Sequence, residues 1–386
     1  MPPLAQPLAK PKTPAPEGAR LRTALGLMSG TSLDGVDAAL IRSDGRGRVE
    51  FGPHLTIPYG DAIRRDVRAQ FGRLEAPPAL VEALTRANAE AVELLIARHG
   101  IARGDVAAIG YHGQTIWHRP EAGETVQLGD GALLAQLTGI DVVNDFRTPD
   151  VRAGGQGAPL VPAYHAALAS ALPLPVAVLN IGGVANVTWI GAAFDPASAS
   201  PDDAALLAFD TGPGNALLDD WAAAHTGGRY DHDGRLARAG RVDEAAAAAI
   251  LANGYFARTP PKSLDRGHFD PAPVARLSPE DGAATLVAVT ARAVARARDW
   301  FPAPARRWLV CGGGRHNPAI MAALRAALAE PVDAVETVGW DGDATEAQAF
   351  AYLALRSLDG LPITFPRTTG CPRPMHGGTL HRRSAR

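Results

Sequence analysis

One three-part pattern occurs twice, far apart in the chain, and it constrains the fold more than any other feature. Leu25-Gly26-Leu27-Met28 is apolar, Ser29 to Gly35 is rich in turn formers, and Val36 to Ile41 is apolar and extended again. The plan returns in Val176 to Asn180, Gly182-Gly183, and Ala185 to Ile190. Aliphatic runs punctuated by glycine read as strands joined by turns. A further strand, Leu206 to Phe209, runs into Asp210-Thr211-Gly212-Pro213-Gly214-Asn215, and another, Trp308 to Val310, runs into Cys311-Gly312-Gly313-Gly314. Val106 to Ile109 leads likewise into Gly110-Tyr111-His112-Gly113-Gln114-Thr115, and Ile140 to Asn144 is also extended. Helical patterns alternate with them over 77–99, 131–137, 285–298, 318–328 and 345–358; the first starts at proline and stops at Gly100. Mixed elements with two matching openings predict an α/β chain of two lobes around a cleft. A length of 386 residues suits two domains. The expected division is a disordered Pro-rich leader over 1–20, lobe I over 21–157 plus 345–380, and lobe II over 158–344, with a hinge near Gly154-Gly155.

Charge excludes several functions. Lys+Arg number 38 against 40 Asp+Glu, a net charge of −2, so no basic face for nucleic acid is expected, and no helix-turn-helix accompanies the lobes. Only Lys10, Lys12 and Lys262 are lysines, and the first two lie in the leader. Lys262, in Pro260-Pro261-Lys262-Ser263, fits neither a Walker-A loop nor a protein-kinase strand. Any nucleotide phosphates must therefore be held mainly by backbone N–H groups. Cys311 and Cys371 form no CxxC, which excludes a disulfide framework and a cysteine-rich zinc site. The uncharged run 166–194 is broken by Pro173, Pro175, Gly182 and Gly183 and reads as a buried strand pair rather than a membrane span. No signal segment precedes the lobes, so a cytoplasmic location is expected.

Glycine turns at strand ends let a ligand approach bare backbone, and successive N–H groups there form an anion-binding concavity. Asp210 stands where an apolar strand meets such a turn. A carboxylate desolvated at a cleft floor is raised toward neutrality and suits a general base; an Asx-turn residue capping its own backbone is the plainer alternative. Asp231-His232-Asp233-Gly234 hints at a metal loop but lacks the closing glutamate and reads as a polar turn.

The motifs taken together resemble the anhydro-N-acetylmuramic acid kinases. Leu27 to Asp37 is similar to that family's signature, and Tyr111 to Thr115, Asn144-Asp145-Phe146-Arg147, Asn180 to Asn186, Phe209 to Asn215 and Cys311 to Gly314 follow in the same order. The resemblance implies the two-lobed actin-like (ribonuclease H-like) fold of sugar kinases, with ATP, Mg²⁺ and sugar in the interlobe cleft. It implies ATP-dependent hydrolysis of the 1,6-anhydro ring of 1,6-anhydro-N-acetylmuramate with phosphorylation on O6, in cell-wall recycling, by a cytoplasmic homodimer that needs no nucleic acid or membrane. Carried over, Gly30, Thr31, Ser32, Leu33, Asp34, Gly35, Val36 and Asp37 would hold the phosphates, with Gly182, Gly183, Gly212 and Gly214 opposite. Gly312, Gly313, Gly314 and Asn317 would face the adenosine, and Asp210 would be the catalytic carboxylate. His112, Gln114, Asn144, Asp145, Arg147 and Glu346 are candidates for the sugar, Arg147 by pairing with the lactyl carboxylate. Lys262-Ser263-Leu264-Asp265-Arg266-Gly267-His268 departs from the family's Lys-Ser-Thr-Gly-Arg-Glu, and the leader and the basic tail after Gly370 look individual to this chain. Two other functions keep the same fold: an ordinary hydroxyl kinase for another sugar, and a slow ATPase acting as a regulator or filament.

Overall fold

A computed structural model describes residues 20–30, 32–198 and 202–384. The leader through residue 19, and Thr31, lie outside the described residues.

The first sheet is built from β1 (Arg22–Ser29), β2 (Gly35–Ser43), β3 (Val49–Pro58), β4 (Val106–Arg119), β5 (Glu124–Leu128) and β6 (Val142–Asn144). The second contains β7 (Val176–Ile181), β8 (Val184–Ile190), β9 (Leu206–Pro213), β10 (Trp308–Cys311) and β11 (Val332–Ala334). A last strand, β12 (Thr379–His381), returns to the first sheet beside β6. Spatial order is β12-β6-β4-β1-β2-β3, with β5 on β4, and β11-β10-β7-β8-β9. In each sheet the first three strands run antiparallel, and two later strands add in parallel on the other side of the first. This doubled order is the two-lobed actin-like arrangement. Among the described residues no helix is long and apolar enough to cross a membrane.

Side-chain alternation along the strands divides the interior into layers. On β7, Ala177, Leu179 and Ile181 join the outer core of the second sheet, whereas Val176 and Val178 point into a central core. On β1, Leu25 and Leu27 enter the outer core of the first sheet and Ala24 the central one. Each such valine, leucine or isoleucine contributes about 2 kcal/mol by leaving water, and each alanine less. The central core holds the two sheets together, with the helices Pro162–Ala169 and Thr345–Leu358 between them.

Two glycines determine where the 345–358 helix lies. Gly26 and Gly110 are register partners on β1 and β4, and a Cβ on either would stand 1.7 Å from Ala347 O or 1.9 Å from Phe350 O. The helix backbone therefore rests directly on the first sheet, which fixes Glu346 in its first turn.

The predicted strands and helices appear with small differences. The strand from Leu206 continues through Asp210 to Pro213, so Asp210 lies within it rather than at its end. The uncharged run supplies the end of a helix followed by β7 and β8. In the segment expected as a hinge, Gly155 N and Gly157 N donate to Asp150, and a Cβ on Gly155 would lie 2.2 Å from the Asp150 carboxylate. Asp150 also accepts from Thr364 and Thr369, tying this loop to the C-terminal segment. That segment is not an appendage, because β12 pairs with β6 and His381 Nε2 bonds Asn144 Oδ1 at 2.8 Å.

Candidate active site

The carboxyl ends of β7 and β10 open on one cavity with the first turn of the 345–358 helix, the usual place for ligands in α/β sheets.

The hairpin between β1 and β2 is braced from below. Gln114 is buried; its Oε1 accepts from Ser29 Oγ at 2.7 Å and its Nε2 donates to Gly30 O at 3.3 Å. Leu33, with φ of 60°, and Val36 are buried in the first lobe's outer core, so only their backbones face a ligand. Gly35 is glycine because β3 passes beside it, a Cβ falling 2.2 Å from Ile57 O. Gly30 differs: a Cβ there meets only Ser32 Oγ, at 3.7 Å. Asp34 is exposed and paired at 2.8 Å with Arg229 of the second lobe. Asp37 accepts from Thr56 Oγ1 at 2.6 Å, and its carboxyl is raised by burial and then by Asp343 and Asp34, against Thr56 and His54.

On the second lobe, the glycines again divide into packed and open. Gly214 and Gly312 abut Gly182 O and Asn180 Oδ1, and Gly314 abuts Ile181. Gly182, Gly183 and Gly313 have nothing closer than 3.6 Å to a Cβ. Together with Gly30, these open glycines leave backbone approachable without any packing reason for it. Gly212 faces Ala293 instead. Asn317 caps the helix Pro318–Ala327, accepting from Ala319 N and Ile320 N, so its side chain is already committed.

Gly182, Gly312 and Gly313 share a cavity of 210 Å³ with Asn180, Cys311, His165, Asp343 and Glu346. Glu346 opens into the cleft, and burial followed by the nearby Asp37 charge raises its carboxyl, with Arg147 opposing. Arg315 is buried and pairs with Glu336 at 2.7 Å and Asp343 at 2.9 Å, tying the glycine run to the loop that leads into Glu346. Burial pushes the Cys311 thiol up to about 12, so it is no nucleophile. His165 was not singled out from sequence. Its Nδ1 meets Thr188 Oγ1 at 3.0 Å, its Nε2 has no partner among the described residues, and burial pulls it down to about 3. Its only signal is a lone imidazole in an alanine-rich helix.

Arg147 is the most unusual cation in the cleft. His112 is buried, Nδ1 donates to Gly113 O at 2.7 Å, and Nε2 accepts from Arg147 Nε at 3.1 Å and Nη2 at 2.9 Å. His112 therefore backs Arg147 and has no nitrogen left for a ligand. Burial, then the Arg147 charge, holds its imidazole well below the usual range. Arg147 Nη1 donates to Gly157 O at 2.7 Å. Among the described residues Arg147 makes no ion pair, and two of its five N–H groups remain unspent. Burial pulls the guanidinium down to about 10. Asn144 is engaged by His381, and Asp145, at φ of 56°, follows it.

Asp210 lies on β9 opposite Asn186. Its Oδ2 accepts from Leu264 N at 2.7 Å, and among the described residues Oδ1 has no hydrogen-bond partner. Burial raises its carboxyl to about 7, with Leu264 opposing and Asp265 adding. A carboxylate in this range with one free oxygen can take a proton near neutrality.

A family model described as anhydro-N-acetylmuramic acid kinase matches residues 22–382. The chain belongs to that family. The matched span includes β12, so the tail as far as residue 382 is part of the family's pattern rather than individual to this chain. Among its relatives, the anhydro-N-acetylmuramic acid kinase of Rhodospirillum rubrum is 57% identical over 364 residues, covering 92% of this chain and 93% of its own. Those of Paramagnetospirillum magneticum and Rhizorhabdus wittichii are 55% and 49% identical, covering 93% of this chain and 99% and 98% of their own.

Proposed function

We propose that this kinase converts 1,6-anhydro-N-acetylmuramate, ATP and water into N-acetylmuramate 6-phosphate and ADP. Asp210, through its free Oδ1, takes a proton from water attacking the anomeric carbon. The bond from that carbon to O6 breaks, and O6 attacks the γ-phosphorus while ADP leaves. The observation that carries this reading is Asp210 itself, raised to about 7 with one oxygen that takes no hydrogen bond among the described residues. Open glycine backbone at Gly30, Gly182, Gly183 and Gly313 supports phosphate and nucleotide binding without lysine. The unpaired Arg147 guanidinium suits the lactyl carboxylate, which it would bind bidentately.

Magnesium fits the donors present. Asp37 and Glu346 are hard oxygen ligands; the Asp37 charge raises Glu346, and Asp34 and Asp343 raise Asp37, a repulsion that a divalent cation relieves. Among the described residues no three such side chains form a cage, and Mg²⁺ needs none when nucleotide phosphates complete its shell. Bound there, it would neutralise charge on the transferring phosphoryl group. The same reading takes 21–157 with 345–380 and 158–344 as the lobes, and the enzyme as a cytoplasmic homodimer, supported by the two sheets and by the family resemblance.

The test is turnover in ¹⁸O-labelled water. The label should enter at the anomeric carbon of the phosphorylated product. A phosphorylated but unlabelled product would mean plain phosphoryl transfer and refute the mechanism.

A further inference from the structure

Among the described residues Lys262 is the sole lysine; it is buried, and no carboxylate among them pairs with it. Its ammonium donates to Tyr255 O and Phe256 O, each at 3.3 Å. It also stands 4.7 Å from the Tyr255 ring, 5.3 Å from Trp300 and 5.7 Å from Phe209. Removing a charge from water is costly unless carbonyls and aromatic faces replace the lost hydration. An aliphatic side chain would fill this space more cheaply, so the charge calls for a reason.

We propose that Lys262 is a positioning residue for Asp210, its caged ammonium clamping the 262–264 segment against the strand that carries the base. The contacts form a closed circuit. Lys262 Nζ bonds the Tyr255 carbonyl; the Tyr255 hydroxyl donates to Asp210 O at 2.5 Å and to Lys262 O at 3.4 Å. Lys262 O in turn accepts from Asp210 N at 2.9 Å. Two residues on, Leu264 N donates to Asp210 Oδ2. One wall of the cage, Phe209, directly precedes Asp210 on β9. The ammonium thus ties the turn Gly254–Ala257 to the loop supplying the hydrogen bond that steadies the Asp210 carboxylate. Other charged or titratable groups around the circuit are Arg258 over Tyr255, Arg296 over Phe256, His268 against Tyr255, and Asp265, whose charge raises Asp210. Lys262 itself is pulled to about 8 by burial and then by Arg258.

The proposal rests on Asp210 being the base, and the experiment separates the two. The full-length enzyme is assayed for ADP release from ATP and 1,6-anhydro-N-acetylmuramate between pH 5 and 9. Losing the Leu264 hydrogen bond favours the protonated carboxyl, so the acid limb of kcat/KM in Lys262→Met should move up by about one pH unit. Its kcat at pH 7.5 should fall about tenfold, with the KM for ATP within about threefold of wild type. Tyr255→Phe keeps the ring and loses only the hydroxyl that reaches Asp210 O; its limb should move the same way, and this variant decides the matter if Lys262→Met does not fold. A wild-type limb and kcat in a folded Lys262→Met, or a wild-type limb in Tyr255→Phe, would overturn the positioning role while leaving Asp210 as base. Full turnover in Asp210→Asn would overturn the base and the positioning role together.

Discussion

A buried carboxyl held near neutrality, as the proposed base is, costs the fold stability, and the cost can be measured by removing it. Asp210 stands at about 7 in the native protein against 3.8 for a free aspartate, a rise caused chiefly by burial. An acid raised on folding contributes stability that is complete below its unfolded value and is lost as pH climbs through its folded one. The window here runs from about pH 4 to pH 7. Three units correspond to about 4 kcal/mol; because the carboxylate keeps some solvent contact in the cleft, roughly 2–4 kcal/mol is the expected range. Asp210→Asn carries no charge at any pH, and its amide oxygen still accepts from Leu264 N. The variant should therefore melt a few degrees above wild type at pH 8, with the gap closing as pH falls toward 4. Its turnover at pH 8 should drop by about 10²–10⁴, the usual worth of a general base. Melting curves of both proteins across pH 4 to 8, beside ADP release, provide the check. A melting difference independent of pH would refute the buried, raised carboxylate. A more stable variant that kept its turnover would refute the catalytic role.

Arg147→Met should raise the KM for the anhydro-sugar about 10–100-fold, the worth of a charge-assisted pair, with little change for ATP; equal loss on a substrate lacking the lactyl carboxylate would refute that pairing. Gly313→Ala adds a Cβ that meets nothing closer than Asn215 Nδ2 at 3.7 Å, so melting should hold while ATP affinity, read by calorimetry, falls severalfold. An unchanged affinity would remove the open glycine backbone from the nucleotide site.

What was legible in the sequence was local. Glycine turns after aliphatic strands, and a helix framed by proline and glycine, announce themselves within a few residues, and β1, β2, β7, β8 and the 77–99 helix, observed as Pro78–Arg98, follow from them. What was missed needs distant partners. β3 is an exposed edge strand carrying Pro53 and Pro58, and β11 and β12 have three residues each, too short for a period to show. His112 and Gln114 were legible as residues of the cleft; that they brace Arg147 and the hairpin, rather than present free nitrogens to a ligand, follows only from the register of β4 beside β1 and from the approach of the 147–157 segment. Asp150 carries no local signal: its partners Thr364 and Thr369 lie more than 200 residues away. Lys262 was visible only as an exclusion, because an aromatic cage drawn from residues 209, 255 and 300 has no pattern along the chain.

The duplicated topology sharpens the argument for one base. β3 and β9 are equivalent edges of sheets with the same strand order, yet only β9 carries a carboxylate poised near neutrality. Topology cannot supply the difference; covering does. β3 alternates between partial and full exposure, with Phe51 at its surface, and a carboxylate there would keep its hydration. β9 is buried along its length except at Asp210, which is half-buried, and its outer edge is closed by the 262–264 segment, whose Lys262 carbonyl takes the Asp210 N–H. Covering an edge strand satisfies its free backbone groups and protects it from pairing with other chains. In this chain the same covering also removes water from the Asp210 carboxylate, so the loop that completes the second lobe's edge raises the residue proposed as the base.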